Sequence, residues 1–174
     1  MQKIWAKILA GEVSRPGNIS FRTLEVISNI SSREAEQFQV ACSLASSNRL
    51  IWKIGRDNSL DDFGLNYGDI LLLRDAGLIH DNDNLQKIFK VIPQIGISVL
   101  HIGNSLYQIK NLKNTELKEF RFNQIAFTTA GKELCKFINA NLNIEYTAAL
   151  IKNKQNEGYE IMEIRNQTTD NTHS

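Results

Sequence analysis

Apolar positions at helical spacing open the chain. Ile4, Trp5, Ile8 and Leu9 fall on one face, with Lys3 and Lys7 opposite. Gly11 ends that stretch, and Arg15-Pro16-Gly17-Asn18 reads as a turn. So short a helix is marginal alone in water and must dock on something. A tryptophan committed to a core this early points to a chain that is one part of a longer protein. Ser20 stands as the N-cap of a second helix whose apolar positions are Phe21, Leu24, Ile27 and Ile30. Ser31-Ser32-Arg33-Glu34 then fits a capping box, with Ile30 placed to staple onto Ala35. The third helix carries Ala35, Phe38, Ala41, Cys42 and Ala45, a stripe small enough for a neighbouring helix to approach closely, and Ser46-Ser47-Asn48 stops it.

The rhythm then shortens. Leu50-Ile51-Trp52-Lys53-Ile54 reads as a strand, and an acidic loop from Asp57 to Gly64 leads to a helix around Tyr67 to Ala76, closed by Gly77 as its left-handed cap. Leu78-Ile79 is a short strand and Asp81-Asn82-Asp83-Asn84 a turn. Gly96 to Ile102 and Ser105 to Ile109 flank Gly103-Asn104, a two-residue hairpin turn. A strand from Phe122 to Phe127 runs through Thr128 into a helix from Thr129 to about Asn139. Ile144, Ala148 and Ile151 mark a last helix, Gly158 closes it, and Tyr159 to Ile164 reads as an edge strand.

This order predicts an α+β protein, with N-terminal helices packed on a winged-helix-like carboxyl half that holds a small antiparallel sheet. The expected divisions are a helical subdomain over 1–48, a winged-helix-like subdomain over 49–166 and a flexible polar tail over 167–174. The paired signatures Leu73-Arg74-Asp75-Ala76-Gly77-Leu78-Ile79 and Phe127-Thr128-Thr129-Ala130-Gly131-Lys132-Glu133-Leu134 carry that expectation most strongly.

Composition removes function classes rather than adding one. With 174 residues, 42% hydrophobic and 22% charged, the chain can build a core without a metal or disulfide staple. A net charge of +1 offers no global attraction to nucleic acid or anionic lipid. Lys7 interrupts the first apolar run, which is too short for an export signal or a membrane span, so a cytoplasmic protein with no membrane contact is expected. Cys42 and Cys135 then read as free core thiols, and the sequons at Asn18 and Asn29 carry no weight. Trp5 and Trp52 read as core anchors.

Candidate chemistry is thin. His80, His101 and His173 are not spaced with other ligands as zinc requires. Asp81 to Asn84 opens like a calcium loop, but Leu85 and Gln86 occupy the places of the next oxygen ligand and the turn glycine. Asp57, Asp61 and Asp62 form a second acidic loop of the same flavour. There is no nucleophile elbow and no glycine-rich phosphate loop, so no catalytic residue, cofactor or metal is expected. For DNA, the helix before the wing, Asn66 to Ala76, offers one arginine against two aspartates, and phosphate contacts supply most of such affinity. The richest basic region is Lys110, Lys113, Lys118 and Arg121, interleaved with Glu116 and Glu119; these four are the candidate nucleic-acid contacts.

One segment has a family likeness. Trp5-Ala6-Lys7-Ile8-Leu9-Ala10-Gly11-Glu12-Val13, then Pro16-Gly17, then Ser20-Phe21-Arg22-Thr23-Leu24-Glu25 resembles a bacterial domain-of-unknown-function family. In that family a Trp-Ala-x-Ile-Leu-Ala-Gly-Glu run precedes a Pro-Gly-x-x-Ser-x-Arg-Thr-Leu segment. The resemblance implies a position toward the carboxyl end of a longer protein, and it brings no catalytic residues with it. Within the segment itself, Arg22 is placed to pair with Glu12 across a packed corner of two helices.

The sequence therefore points to a non-enzymatic scaffold or protein-interaction module that captures a protein partner or a second copy of itself. A DNA-binding regulator is the alternative. Partner contacts are expected at the edge strand, with Tyr159, Ile161 and Ile164, and at the small-residue helix from Ala35 to Ala45. Clustered titratable groups in a deep pocket would favour an enzyme; a continuous basic surface across the wing would favour DNA.

Overall fold

The computed structural model describes residues 19–47, 49–55 and 60–164, together with Ala6, Ala10 and Gly17. The expected first helix with Trp5, the pairing of Arg22 with Glu12, the acidic position Asp57 and the polar tail lie outside the described residues.

Helix α1 spans Phe21–Asn29 and begins where Ser20 accepts from the Thr23 N–H through its hydroxyl at 3.3 Å. Helix α2 spans Ser32–Leu44 behind a complete capping box: Ser31 N–H donates to Glu34 Oε2 at 2.6 Å, and Glu34 N–H donates to Ser31 Oγ at 3.3 Å. Strand β1, Leu50–Trp52, is buried along its length. After a 3-10 turn at Asp61–Phe63, helix α3 runs over Tyr67–Asp75 with a second capping box, Asn66 with Asp69. Strands β2 (Gln86–Lys90), β3 (Ser98–Ile102), β4 (Ser105–Asn111) and β5 (Glu119–Ala126) follow. Helices α4 (Thr129–Cys135) and α5 (Ile144–Asn156) and strand β6 (Tyr159–Glu163) complete the order.

The α+β expectation holds, and the antiparallel pairing is divided between two three-stranded sheets. The first has the order β1-β5-β2, in the register Leu50 opposite Ala126 and Phe89 opposite Phe120. Helix α2 precedes β1 and α3 precedes β2. Where a wing would be a short loop, the chain between β2 and β5 forms the hairpin β3–β4, and β6 adds to it, giving the second sheet, β3-β4-β6. Gly103 turns the hairpin with a φ of 56°.

The two signature segments meet. Ile79 bridges Phe127, Thr128 N–H donates to Leu78 O at 3.1 Å, and the Thr128 hydroxyl donates to Gly77 O at 2.6 Å. Gly77 takes a φ of 71° at the end of α3. One core joins both sheets and the helices from Ile19 to Ile161. Trp52 lies at its centre against Phe89 and Phe122, and its carbonyl accepts the Tyr146 hydroxyl at 2.6 Å.

Two faces differ from their sequence reading. In α1, Phe21 is 92% exposed while Thr23 and Ile27 are buried. In α5, Ile144 is 77% exposed and the buried stripe is Tyr146, Leu150 and Lys154. That stripe still repeats every four residues, but it contains a lysine, whose stem is covered while Nζ sits 4.5 Å from the Phe122 ring centroid and 2.7 Å from Glu157 Oε2.

Candidate interaction surfaces

Helix α3 is the element on which the DNA-binding expectation turns, so its charges decide what it can touch. Arg74 is its basic residue, and the side chain is only 6% exposed. Its guanidinium donates to both carboxylate oxygens of Asp83, one of them at 3.3 Å, and lies 3.8 Å from Asp81. Lys53 reaches the same turn, donating to Asp83 O at 3.0 Å. The hydrogen bond from Arg74 holds the Asp83 carboxyl below the usual carboxylate range. The turn that opens like a calcium loop thus serves as the anchor for Arg74 and Lys53. Asp69 is buried in its capping box with Arg33 at 3.8 Å. What α3 presents outward is Tyr67, Gly68, Leu71 and Asp75. This is an apolar, weakly acidic face without a free cation to meet a phosphate.

The four basic candidates do not make one surface. Lys110 lies on β4 directly opposite Glu160 of β6. Lys113 is exposed in the following turn, with its stem laid over Gly158. Lys118 is exposed before β5, and its carbonyl accepts the Val91 N–H at 2.9 Å. Arg121, on β5, donates to Glu119 Oε1 at 2.6 and 2.9 Å. Each positive charge has a carboxylate beside it or lies apart from the others, as the interleaving of lysine and glutamate in the sequence indicates.

The second sheet is different. Its inner row is Leu100, Ile102, Ile109 and Ile161, all buried, and the Tyr159 ring packs edge-on against Phe120 and Phe122 at 5.5 Å each. Tyr159 and Ile161 therefore point their side chains into the molecule. Its outer face carries Val99, Met162 and Ile164, with Met162 46% and Ile164 36% exposed. Register places Val99 of β3, Gln108 of β4 and Met162 of β6 in one row across the sheet.

The backbone of β6 completes this surface. Ile164 N–H donates to Leu106 O, and Leu112 N–H donates to Gly158 O. Since register pairs Glu163 with Tyr107, the even-numbered residues of β6 bond to β4. The N–H and C=O groups of Tyr159, Ile161 and Glu163 point the other way, and no strand among the described residues covers them. The opposite edge of the sheet is occupied: His101 O accepts the Trp52 indole N–H at 2.9 Å, and Ile97 O accepts the Ile92 N–H at 2.7 Å. The sequence reading of an edge strand agrees with the position of β6 at the end of its sheet, but it did not separate side-chain from backbone contact. Only the register shows that Tyr159 and Ile161 offer backbone.

The small-residue helix α2 is not available in the same way, because Ala35, Phe38, Ala41 and Cys42 are buried. A cleft of about 490 Å³ lies beside the ends of β2 and β5, where Lys90, Lys118, Glu116 and Glu119 surround Val91, Pro93 and Leu117. Among the described residues no three His, Cys, Asp or Glu side chains are grouped to hold a metal. No helix there is long and apolar enough to cross a membrane.

No curated protein and no solved structure matches the chain. The model of a family of proteins of unknown function, DUF2806, matches residues 1–151, and the chain belongs to that family.

Proposed function

We propose that this DUF2806 chain is a non-enzymatic protein-interaction module that binds by strand addition at β6, with a second copy of itself as the first partner to test. The observation that supports this most is the β6 edge, unpaired among the described residues, with three outward backbone pairs beside the exposed Met162 and Ile164, on a sheet whose other edge is capped. Main-chain bonds supply affinity in such pairing, and alternate side chains supply selectivity. An antiparallel copy centred on Ile161 sets Tyr159 against Glu163 and Glu160 against Met162, so no two like charges face each other directly.

The test is Glu163→Pro. Proline removes an outward N–H, leaves the bonds of β6 to β4 intact and is tolerated on an edge. Sedimentation equilibrium of the unaltered chain is expected to show a concentration-dependent dimer that the variant lacks, with both retaining the same circular dichroism. A unaltered chain that stays monomeric at every concentration would rule out the second copy as partner.

The alternative, a DNA-binding regulator, draws on the β1-β5-β2 order with α3 before β2. The sequestered Arg74 and the Tyr67–Leu71 face weigh against it. Anisotropy of duplex DNA titrated with the protein at low and then moderate salt is expected to show no binding; tight binding that collapses with salt would reverse the ranking.

A further inference from the structure

Cys42 near the end of α2 and Cys135 at the end of α4 are brought together from distant parts of the chain. Both are buried and free, and both line one cavity. Arg49 adds positive charge to the pair and favours the thiolate form of either sulfur. Its backbone is unusual: with φ 61° it is the only non-glycine residue in the left-handed region among the described residues. It is fixed there by its N–H donating to Ser46 O at 2.8 Å and its carbonyl accepting the Phe127 N–H at 3.2 Å. A cavity of about 210 Å³ is lined by both cysteines and walled by Arg49, Asn104, Lys136 and Leu142.

We propose that Cys42 and Cys135 are a peroxide-responsive dithiol, oxidised to an intrachain disulfide by hydroperoxide entering the cavity that both residues line. The two thiols are not equivalent. Burial pushes the Cys42 thiol up, whereas the hydrogen bond from Cys42 draws Cys135 down against its own burial, with Arg49 helping. Cys135 is therefore the attacking sulfur. Its thiolate attacks one peroxide oxygen to form an S–O bond, the O–O bond breaks, and the departing hydroxide takes a proton to leave as water. Cys135 is then a sulfenic acid. Cys42 loses its proton and attacks the Cys135 sulfur, the S–O bond breaks, and a second water leaves. In sum, two thiols and one hydrogen peroxide give one disulfide and two waters. The disulfide brings the sulfurs to about 2.05 Å of each other, a movement beside the cavity that both residues line.

The test uses the full chain, reduced, desalted and treated with hydrogen peroxide. Intact mass is expected to fall by two hydrogens, and denatured protein is expected to take no alkylating label where the untreated protein takes two. Peptide mapping should join the Cys42 and Cys135 peptides within one chain. In Cys42→Ser, dimedone is expected to trap Cys135 as its sulfenic acid; in Cys135→Ser, Cys42 is expected to stay unlabelled. Two alkylatable thiols after peroxide, or sulfonic acids in place of the disulfide, would overturn the proposal. The mass and labelling of the unaltered chain decide the matter even where a serine variant fails to fold.

Discussion

At the scale of single residues, Gly131 is the most tightly confined of the described glycines. A Cβ built there would lie 2.0 Å from the Leu78 carbonyl oxygen and 3.3 Å from Phe127 Cβ. The obstacle is backbone, held by the Thr128 N–H at 3.1 Å, so it cannot rotate away as a side chain would. Gly131→Ala is expected to lower stability in urea by about 3 kcal/mol, because α4 must lift from the turn after α3 to admit one methyl group. A loss below about 0.5 kcal/mol would mean that this contact is loose. The glycine and the threonine before it were legible in the sequence as a strand running into a capped helix. The reason for the glycine was not, since Leu78 is distant in the chain. Tyr146 is the opposite case. It carries a hydrogen bond to the buried Trp52 carbonyl, yet in sequence it stood unnoticed between Ile144 and Ala148. Helical periodicity marks a stripe without saying which of two neighbouring stripes turns inward.

At the scale of elements, what is encoded locally was legible. Both cap residues Ser20 and Ser31, the left-handed Gly77 and the Gly103-Asn104 hairpin follow from side chains within a few residues of one another. Strand β2 was not read, because Gln86-Lys87-Ile88-Phe89-Lys90 buries only Phe89; its pairing with β5 defines it as a strand. The junction of α1 with α4 is likewise non-local. Ser20 donates to Glu133 Oε2 from its N–H at 3.0 Å and from its hydroxyl at 3.1 Å. Burial works to raise the Glu133 pKa, but the bonds from Ser20 and Thr23 win, and the carboxyl sits below the ordinary value. A depressed folded-state value means that this junction adds stability above the unfolded carboxyl's pKa, and that the gain is lost as pH falls through the folded one. Glu133→Gln should therefore cost stability at neutral pH and show a shallower loss on acidification, read by urea unfolding at a series of pH values. Parallel curves for the two proteins would show that the junction does not depend on the charge.

At the scale of the whole molecule, the cohesion of the chain follows from where its aromatic residues meet. Phe38 of α2 packs on Phe127 at 5.4 Å, Trp52 of β1 on Phe89 of β2 at 5.5 Å, and Phe122 of β5 on Tyr159 of β6 at 5.5 Å. These contacts tie the helices before Leu50 to the first sheet and the first sheet to the second, so neither sheet can lose its partner without opening the core around Trp52. The surface proposed for interaction is thereby a rigid one. Strand β6 is held from within by Ile161 and Tyr159, and its free edge is presented already extended, which lowers the ordering cost of pairing. A core shared in this way predicts one cooperative transition. Tryptophan fluorescence of a Trp5→Phe variant, which follows Trp52 alone, and far-ultraviolet circular dichroism, which follows the helices, are expected to report the same midpoint in urea. Helical signal lost before the fluorescence changes would instead show α1 and α2 leaving first as a separate unit, and would place the seam of the molecule between Leu44 and Leu50.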